Sequence, residues 1–232
     1  MVKNNLENIF LRIKKICDKI SKDSKEVILV AVSKTFPVSA NYDCLANGHA
    51  IFGENKIQDL VRKRSYMYLD GVKEAKWHMI GHLQSNKAKQ VVLNADMFQC
   101  LDSVKLAAKL NKVCKKEAKD LDVLIQINSS GEETKYGIKP AELEDFMQIL
   151  KEYDRLKIRG LMSIGEYNED PEDSRPEFKM MRDLFDRAAK YNGGNIDIKY
   201  LSMGMSHDFE IAVEEGANII RVGTAIFGAR EK

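Results

Sequence analysis

Eight short apolar runs, separated by longer stretches of helical periodicity, constrain the fold of this chain more than any other feature. They are VILVAVS (27–33), HAIFG (49–53), WHMIG (77–81), MFQCL (97–101), VLIQIN (123–128), IRGLMSI (158–164), YLSM (200–203) and NIIRVG (218–223). Near-continuous apolar strands that alternate with helices pair in parallel, with both faces covered. Eight such units in 232 residues predict a closed (β/α)8 barrel, whose usual size is about 250 residues. A doubly wound open sheet also alternates strands and helices, so the count favours closure without proving it.

The intervening segments carry helix signals of their own. Ser103 is an N-cap candidate, Pro140 suits a first turn, and the pattern from Ser174 stops at Gly193 and Gly194. Ahead of the first run, Leu6, Ile9, Phe10, Ile13, Ile16, Cys17 and Ile20 recur at three- and four-residue steps. That stripe predicts an extra N-terminal helix, over about residues 3–21, packed on the barrel. With 44% hydrophobic residues and no composition break, residues 1–232 read as one α/β domain.

Charge excludes some functions. Lysine and arginine number 37 against 35 acidic residues, so the one-sided basic surface of a general nucleic-acid binder is missing and no nucleic-acid partner is expected. No stretch approaches the roughly 20 apolar residues that span a bilayer, and the N-terminus lacks a signal-peptide core. Cys17, Cys44, Cys100 and Cys114 are scattered without a CxxC pair, which suits reduced thiols. A cytoplasmic protein without a membrane partner is expected. His78 and His82 are four apart, but Met79 stands where a zinc helix needs glutamate, so no metal site is expected.

In a barrel, ligand chemistry sits on the loops leaving the C-terminal ends of the strands, and those after the seventh and eighth strands commonly take a phosphate. Lys34 falls one residue past the first run. A lysine that ends a strand is ordinarily a solvated charge. Here Ala31, Val32, Ser33, Phe36 and Pro37 flank it, and partial desolvation favours the free amine that attacks an aldehyde. The segment SMGMS, Ser202 to Ser206, reads by itself as a capped helix start, with Ser206 as N-cap and Asp208 and Glu210 in the first turn. Gly223 and Thr224 follow the eighth run, so two adjacent loops bring donors to one corner, as a phosphate requires. Arg221, two residues before Gly223, points into the barrel, where it meets either a ligand or an acidic neighbour.

Longer segments carry a resemblance: AVSKTFP, FGENKIQDL, WHMIGHLQSNK, INSSGEETKYGI, LSMGMSHDFEIAVEEG and RVGTAIFGAR. Together they resemble the pyridoxal phosphate homeostasis protein family, whose barrel is similar to the N-terminal domain of alanine racemase. The resemblance implies the barrel of PLP fold type III without the C-terminal β domain. It also implies pyridoxal 5'-phosphate (PLP) as cofactor, held as a Schiff base on Lys34. Ser202, Ser206, Gly223 and Thr224 would bind its phosphate region, and Arg221 would face its pyridine nitrogen. Asn55 of FGEN is a further cofactor-binding candidate. Glu133 and Lys135 of EETKYG match family motifs without an assignable role. The segment MSIGEYNED departs from the family pattern, which more often has a proline after the MSI-like run.

An arginine against the ring nitrogen keeps that nitrogen unprotonated and weakens the ring as an electron sink. Racemisation would need a second base, which the related racemases carry as a tyrosine on an additional domain, and the chain ends soon after its last strand. The expectation is binding, storage or delivery of PLP in intracellular PLP homeostasis, with no catalytic residue assigned and apo PLP-dependent enzymes as transient partners. The alternatives are a PLP-dependent racemase of low activity and a Schiff-base aldolase acting on a phosphorylated sugar. Lys87 and Lys89 mark a basic region where a second site could lie.

Overall fold

The computed structural model describes residues 1–129, 136–166 and 168–229. Its elements follow the order α1 (Val2–Lys19), β1 (Ile28–Val32), α2 (Val38–Leu45), β2 (Ile51–Glu54), α3 (Ile57–Leu69), β3 (Lys76–Met79), α4 (Ala88–Asn94), β4 (Met97–Leu101), α5 (Val104–Lys116), β5 (Leu121–Ile127), α6 (Leu143–Leu150), β6 (Leu156–Ser163), α7 (Arg175–Ala189), β7 (Ile196–Ser202), α8 (Phe209–Glu214), β8 (Ile219–Val222) and α9 (Thr224–Phe227). The eight strands pair in parallel in chain order and close on themselves. Closure rests on β8 pairing with β1, where Ile28, Leu29, Val30 and Ala31 lie opposite Ile219, Ile220, Arg221 and Val222. An open sheet would leave two free edges; here the barrel read from eight apolar runs is the fold.

Buried apolar side chains fill the barrel and the layer beneath the helices, with Trp77 against Phe52 at 5.2 Å between ring centroids. α9 has a single turn, and α1 packs across α8, α9 and α2, covering the seam near β8 and β1. Leu6, Ile9, Ile13 and Cys17 are its buried stripe, while Phe10 stays exposed. Arg12 with Glu210 (2.6 Å) and Lys19 with Glu214 (2.6 Å) fasten the helix to α8, and Asn5 donates to Ile226 O at 2.8 Å.

Among the boundaries that differ from the sequence reading, two do so for identifiable reasons, while β5 and β6 each start two residues before their runs. β7 starts four residues before the YLSM run, because its exposed Asp197 and Lys199 alternate with buried Ile196 and Ile198 and break the apolar run. Asp197 pairs with Arg159 of β6 at 2.6 Å, holding that half of the strand in place. α7 ends at Ala189, short of Gly193 and Gly194, which form the following turn at positive φ. Ser103 caps α5 through Leu106 N–H, and Pro140 opens a 3-10 turn that leads into α6. Among the described residues no helix is long and apolar enough to cross a membrane, and all four cysteines are buried and unpaired.

Candidate functional site

At the C-terminal end of the strands a cavity of about 260 Å3 opens, lined by Lys34, Asn55, Ser206, Arg221, Gly223 and Thr224, with Val32 and Ile80 on its apolar wall. Residues from the two ends of the chain thus share one space. Lys34 is carried there by a tight turn: Ser33 N–H donates to Gly53 O (3.1 Å), and Phe36 N–H donates back to Ser33 O (3.1 Å). The half-buried Lys34 sits inside that turn. Asn55 follows β2 directly, and Gly81 makes room for it. A Cβ on Gly81 would lie 2.2 Å from Asn55 O, so only glycine lets the loop after β3 lie against this backbone.

The corner formed by the last two loops is tied by one hydroxyl. Ser206 Oγ accepts the N–H groups of Gly223 (3.2 Å) and Ala225 (3.3 Å). Ser206 therefore does not cap α8, contrary to the local sequence reading. Asp208 holds the N-cap position, and its Oδ1 accepts Met205 N–H at 2.6 Å. Gly204 lies between Ser202 and Ser206 at φ 88, where a Cβ would strike Ala212, and its carbonyl accepts Arg221 N–H at 3.1 Å.

Arg221 is buried and lines the cavity floor. Its Nη1 donates to Ser202 Oγ (2.7 Å) and its Nη2 to Ser163 O (2.6 Å). Both acceptors are neutral, so the ion pair weighed from the sequence is not what holds it. Ser202 is the one candidate that does not line the cavity. It lies fully buried behind Arg221 and donates to Gln99 Oε1 at 2.8 Å. Gln99 Nε2 in turn donates to His78 Nδ1 at 2.8 Å. β4 and β7 are not neighbours around the barrel, so the Ser202–Gln99 bond crosses its interior.

Every donor in this chain points the same way, from Arg221 through Ser202 and Gln99 to His78, and the last acceptor must be a neutral imidazole. Burial pushes the His78 pKa down to about 4, which keeps it neutral. Burial also lowers Arg221 to about 10, opposed by Cys100, Asp208 and Glu177, and the guanidinium remains a cation at neutral pH. Sequence reasoning missed Gln99 and Ser163. Gln99 was visible as the one polar residue inside MFQCL, a strand buried along its whole length.

Other sequence candidates fall elsewhere. Glu133 and Lys135 lie outside the described residues. The loop after β6, where the sequence departs from the family pattern, sends Ile164, Glu166 and Asn168 to the cavity wall. His82 pairs with Asp102 (2.9 Å) and stacks on Tyr136 (3.8 Å between centroids), while His78 is committed to Gln99. No cluster of three metal-ligating side chains occurs among the described residues. Lys89 pairs with Glu117 at 3.0 Å, and neither it nor Lys87 lines the cavity.

The sequence matches the alanine racemase N-terminal domain family over residues 5–231. The chain belongs to that family. Within its reach, the pyridoxal phosphate homeostasis protein of Aquifex aeolicus is 38% identical over 229 residues, covering 97% of each chain. The protein of the same description from Escherichia coli K12 is 37% identical, covering 99% of this chain and 97% of the other. The solved structure of PipY from Synechococcus elongatus PCC7942 with PLP bound superposes with a TM-score of 0.84 at 29% identity, over 98% of this chain and all of that one. An alanine racemase from Clostridium difficile 630 shares the fold of the family at 16% identity and a TM-score of 0.73, the match spanning 60% of that chain.

Proposed function

We propose that this protein holds pyridoxal 5'-phosphate in the Lys34 cavity as a Schiff base and acts in intracellular PLP homeostasis, storing the cofactor and handing it to apo enzymes. The observation that carries the reading is the gathering, in one small cavity, of an amine, a corner of hydroxyl and backbone donors, and a buried guanidinium with neutral partners. PLP-bound PipY and the names of the relatives support it.

The residues present fit such a group. Ser206 and Thr224 hydroxyls with the Gly223 backbone offer what a phosphate dianion binds. Ser163 Oγ, one residue before cavity-lining Ile164, is buried and has no hydrogen-bond partner among the described residues. The cavity is near the lower end of the ~300–1,000 Å3 of typical ligand pockets, which suits one small aromatic phosphate better than a dinucleotide. When bound, PLP supplies an aldehyde and an electron-withdrawing ring. Lys34 would supply the amine, and Ser206, Gly223 and Thr224 would anchor the phosphate. Arg221 would present a fixed positive charge to the ring nitrogen and disfavour its protonation. Asn55, on the neighbouring loop, would bound the ring's position.

Ser202, behind Arg221, would act by aiming the guanidinium. A ring nitrogen left unprotonated is a weak electron sink, which favours reversible capture over turnover. The four buried, unpaired thiols suit a cytoplasmic carrier that meets its recipients transiently.

The test is spectroscopic. Purified protein mixed with PLP should gain a visible absorption band, and borohydride should fix the cofactor on Lys34 as read by peptide mass. Lys34→Ala should lose both. A wild-type protein that stays colourless with PLP would overturn the proposal and favour an aldolase, and steady racemisation of a single-enantiomer amino acid would favour the racemase.

A further inference from the structure

The barrel buries a second lysine that the proposed chemistry does not use. Lys63 of α3 is 2% exposed, and its Nζ donates to Glu54 Oε1 at 2.6 Å and to Ser33 O at 2.8 Å. Glu54 is fully buried at the end of β2. Its Oε1 also accepts from Ser33 Oγ at 2.6 Å, and Asn41 of α2 donates to that same hydroxyl at 2.9 Å. One cluster therefore grips Ser33 by both carbonyl and hydroxyl. Ser33 immediately precedes Lys34, and Glu54 immediately precedes Asn55.

The turn held in this way is strained. Thr35, the residue after Lys34, adopts φ 73, a conformation that a β-branched side chain disfavours and that persists only where the surroundings fix it. Stability alone is a poor reason to bury the Lys63–Glu54 pair, since well-packed apolar residues of similar volume commonly replace a buried ion pair without loss. Apolar residues cannot, however, supply directional bonds to Ser33.

We infer that Lys63 and Glu54 are positioning residues, a charged clamp that sets the Ser33–Thr35 turn so that the Lys34 amine enters the cavity beside Asn55. This rests on the reading of Lys34 as the cofactor lysine. Lys63 and Glu54 do not line the cavity and act through the residues that follow Ser33 and Glu54.

The deciding variant is Lys63→Met with Glu54→Leu, which removes both charges and keeps the volume. It should fold with a melting temperature near that of the wild type, yet its Lys34 should react differently. In cofactor-free protein, acetic anhydride labelling of Lys34, read by peptide mass against surface lysines, should change by about threefold or more. PLP affinity should fall by about tenfold or more, the scale expected when a reacting group is misplaced by a fraction of an ångström. A folded double variant that labels and binds like the wild type would make the pair merely structural and overturn the inference. Should that variant aggregate, Ser33→Ala decides. It keeps the ion pair, cuts the hydroxyl links, and should move both readouts in the same direction, about threefold in affinity; unchanged values would refute the clamp. A wild type that forms no reducible adduct with PLP would remove the cofactor reading, while the labelling readout would still judge the clamp.

Discussion

Among the described residues two cations, Lys63 and Arg221, are buried in this barrel, and they are treated in opposite ways. Lys63 meets a carboxylate at 2.6 Å, whereas the bonds of Arg221 end on a serine hydroxyl and a backbone carbonyl. Burying an ion costs several kcal/mol, which a well-placed counter-ion largely offsets. Even for Glu54, burial raises the carboxyl pKa against the pull of Lys63 and Ser33. The lysine side is thus closed upon itself, with its charge answered inside the protein. The arginine side is open: its charge is hydrogen-bonded but not neutralised by its direct partners, and it faces the cavity. An internally answered cation shapes the site, and one answered only by neutral groups is left to act on what enters.

The largest expected effect breaks the closed side. Lys63→Met leaves the Glu54 carboxylate buried without its cation and should destabilise the cofactor-free protein by about 3–5 kcal/mol. Arg221→Met removes a cation that has no ion pair among the described residues to orphan. Ser202 keeps its bond to Gln99, so the cost should stay near the ~1–3 kcal/mol of an unsatisfied polar group. Urea denaturation of both variants at neutral pH makes the comparison. Equal losses would mean that Arg221 has an anionic partner in solution and that the contrast is false.

Next in size is a pH effect at the far end of the Arg221 chain. His78 is buried, with a pKa lowered from 6.5 to about 4. Between those values the unfolded chain binds the proton and the folded one does not. The contribution is fully present above pH 6.5 and is lost as pH falls towards 4, amounting to ~3 kcal/mol. Denaturation curves should show the wild type losing that much more than His78→Gln over this interval. Parallel curves would show that His78 becomes charged inside the fold and that the one-way donor chain is wrong.

What the sequence disclosed, and what it hid, follows the same division. The barrel was legible because most strands are apolar on both faces; β7 was shortened most, its first half disguised by exposed Asp197 and Lys199. Lys34, Gly223 and Thr224 were legible because a strand end fixes where the next residue stands. The Ser202–Gln99 bond joins residues 103 apart across the barrel, and no local pattern reports such a pairing. Ser206 was misread because capping is a local inference, whereas its hydroxyl is used by the next loop. Lys63 left a trace that could have been followed. It falls on the buried stripe Ile57, Leu60, Lys63 and Met67 of α3, and a lysine at such a position needs a partner.

The smallest expected change in fold stability, and the sharpest test of the open side, concerns the phosphate corner. Ser206 Oγ accepts two N–H groups at 3.2 and 3.3 Å, long for such bonds, from residues that are only half-buried. Water can replace them, so Ser206→Ala should cost the cofactor-free protein less than about 1 kcal/mol. If the hydroxyl and the two N–H groups it gathers meet a phosphate dianion, the same substitution should weaken PLP binding by about 1–3 kcal/mol, as should Thr224→Ala. Binding titration beside urea denaturation separates the two quantities. A corner built for a ligand loses affinity and keeps its fold, the reverse of the balance expected at Lys63. An unchanged dissociation constant in the Ser206→Ala/Thr224→Ala double variant would remove both residues from the site and leave the phosphate anchoring to the backbone of Gly223.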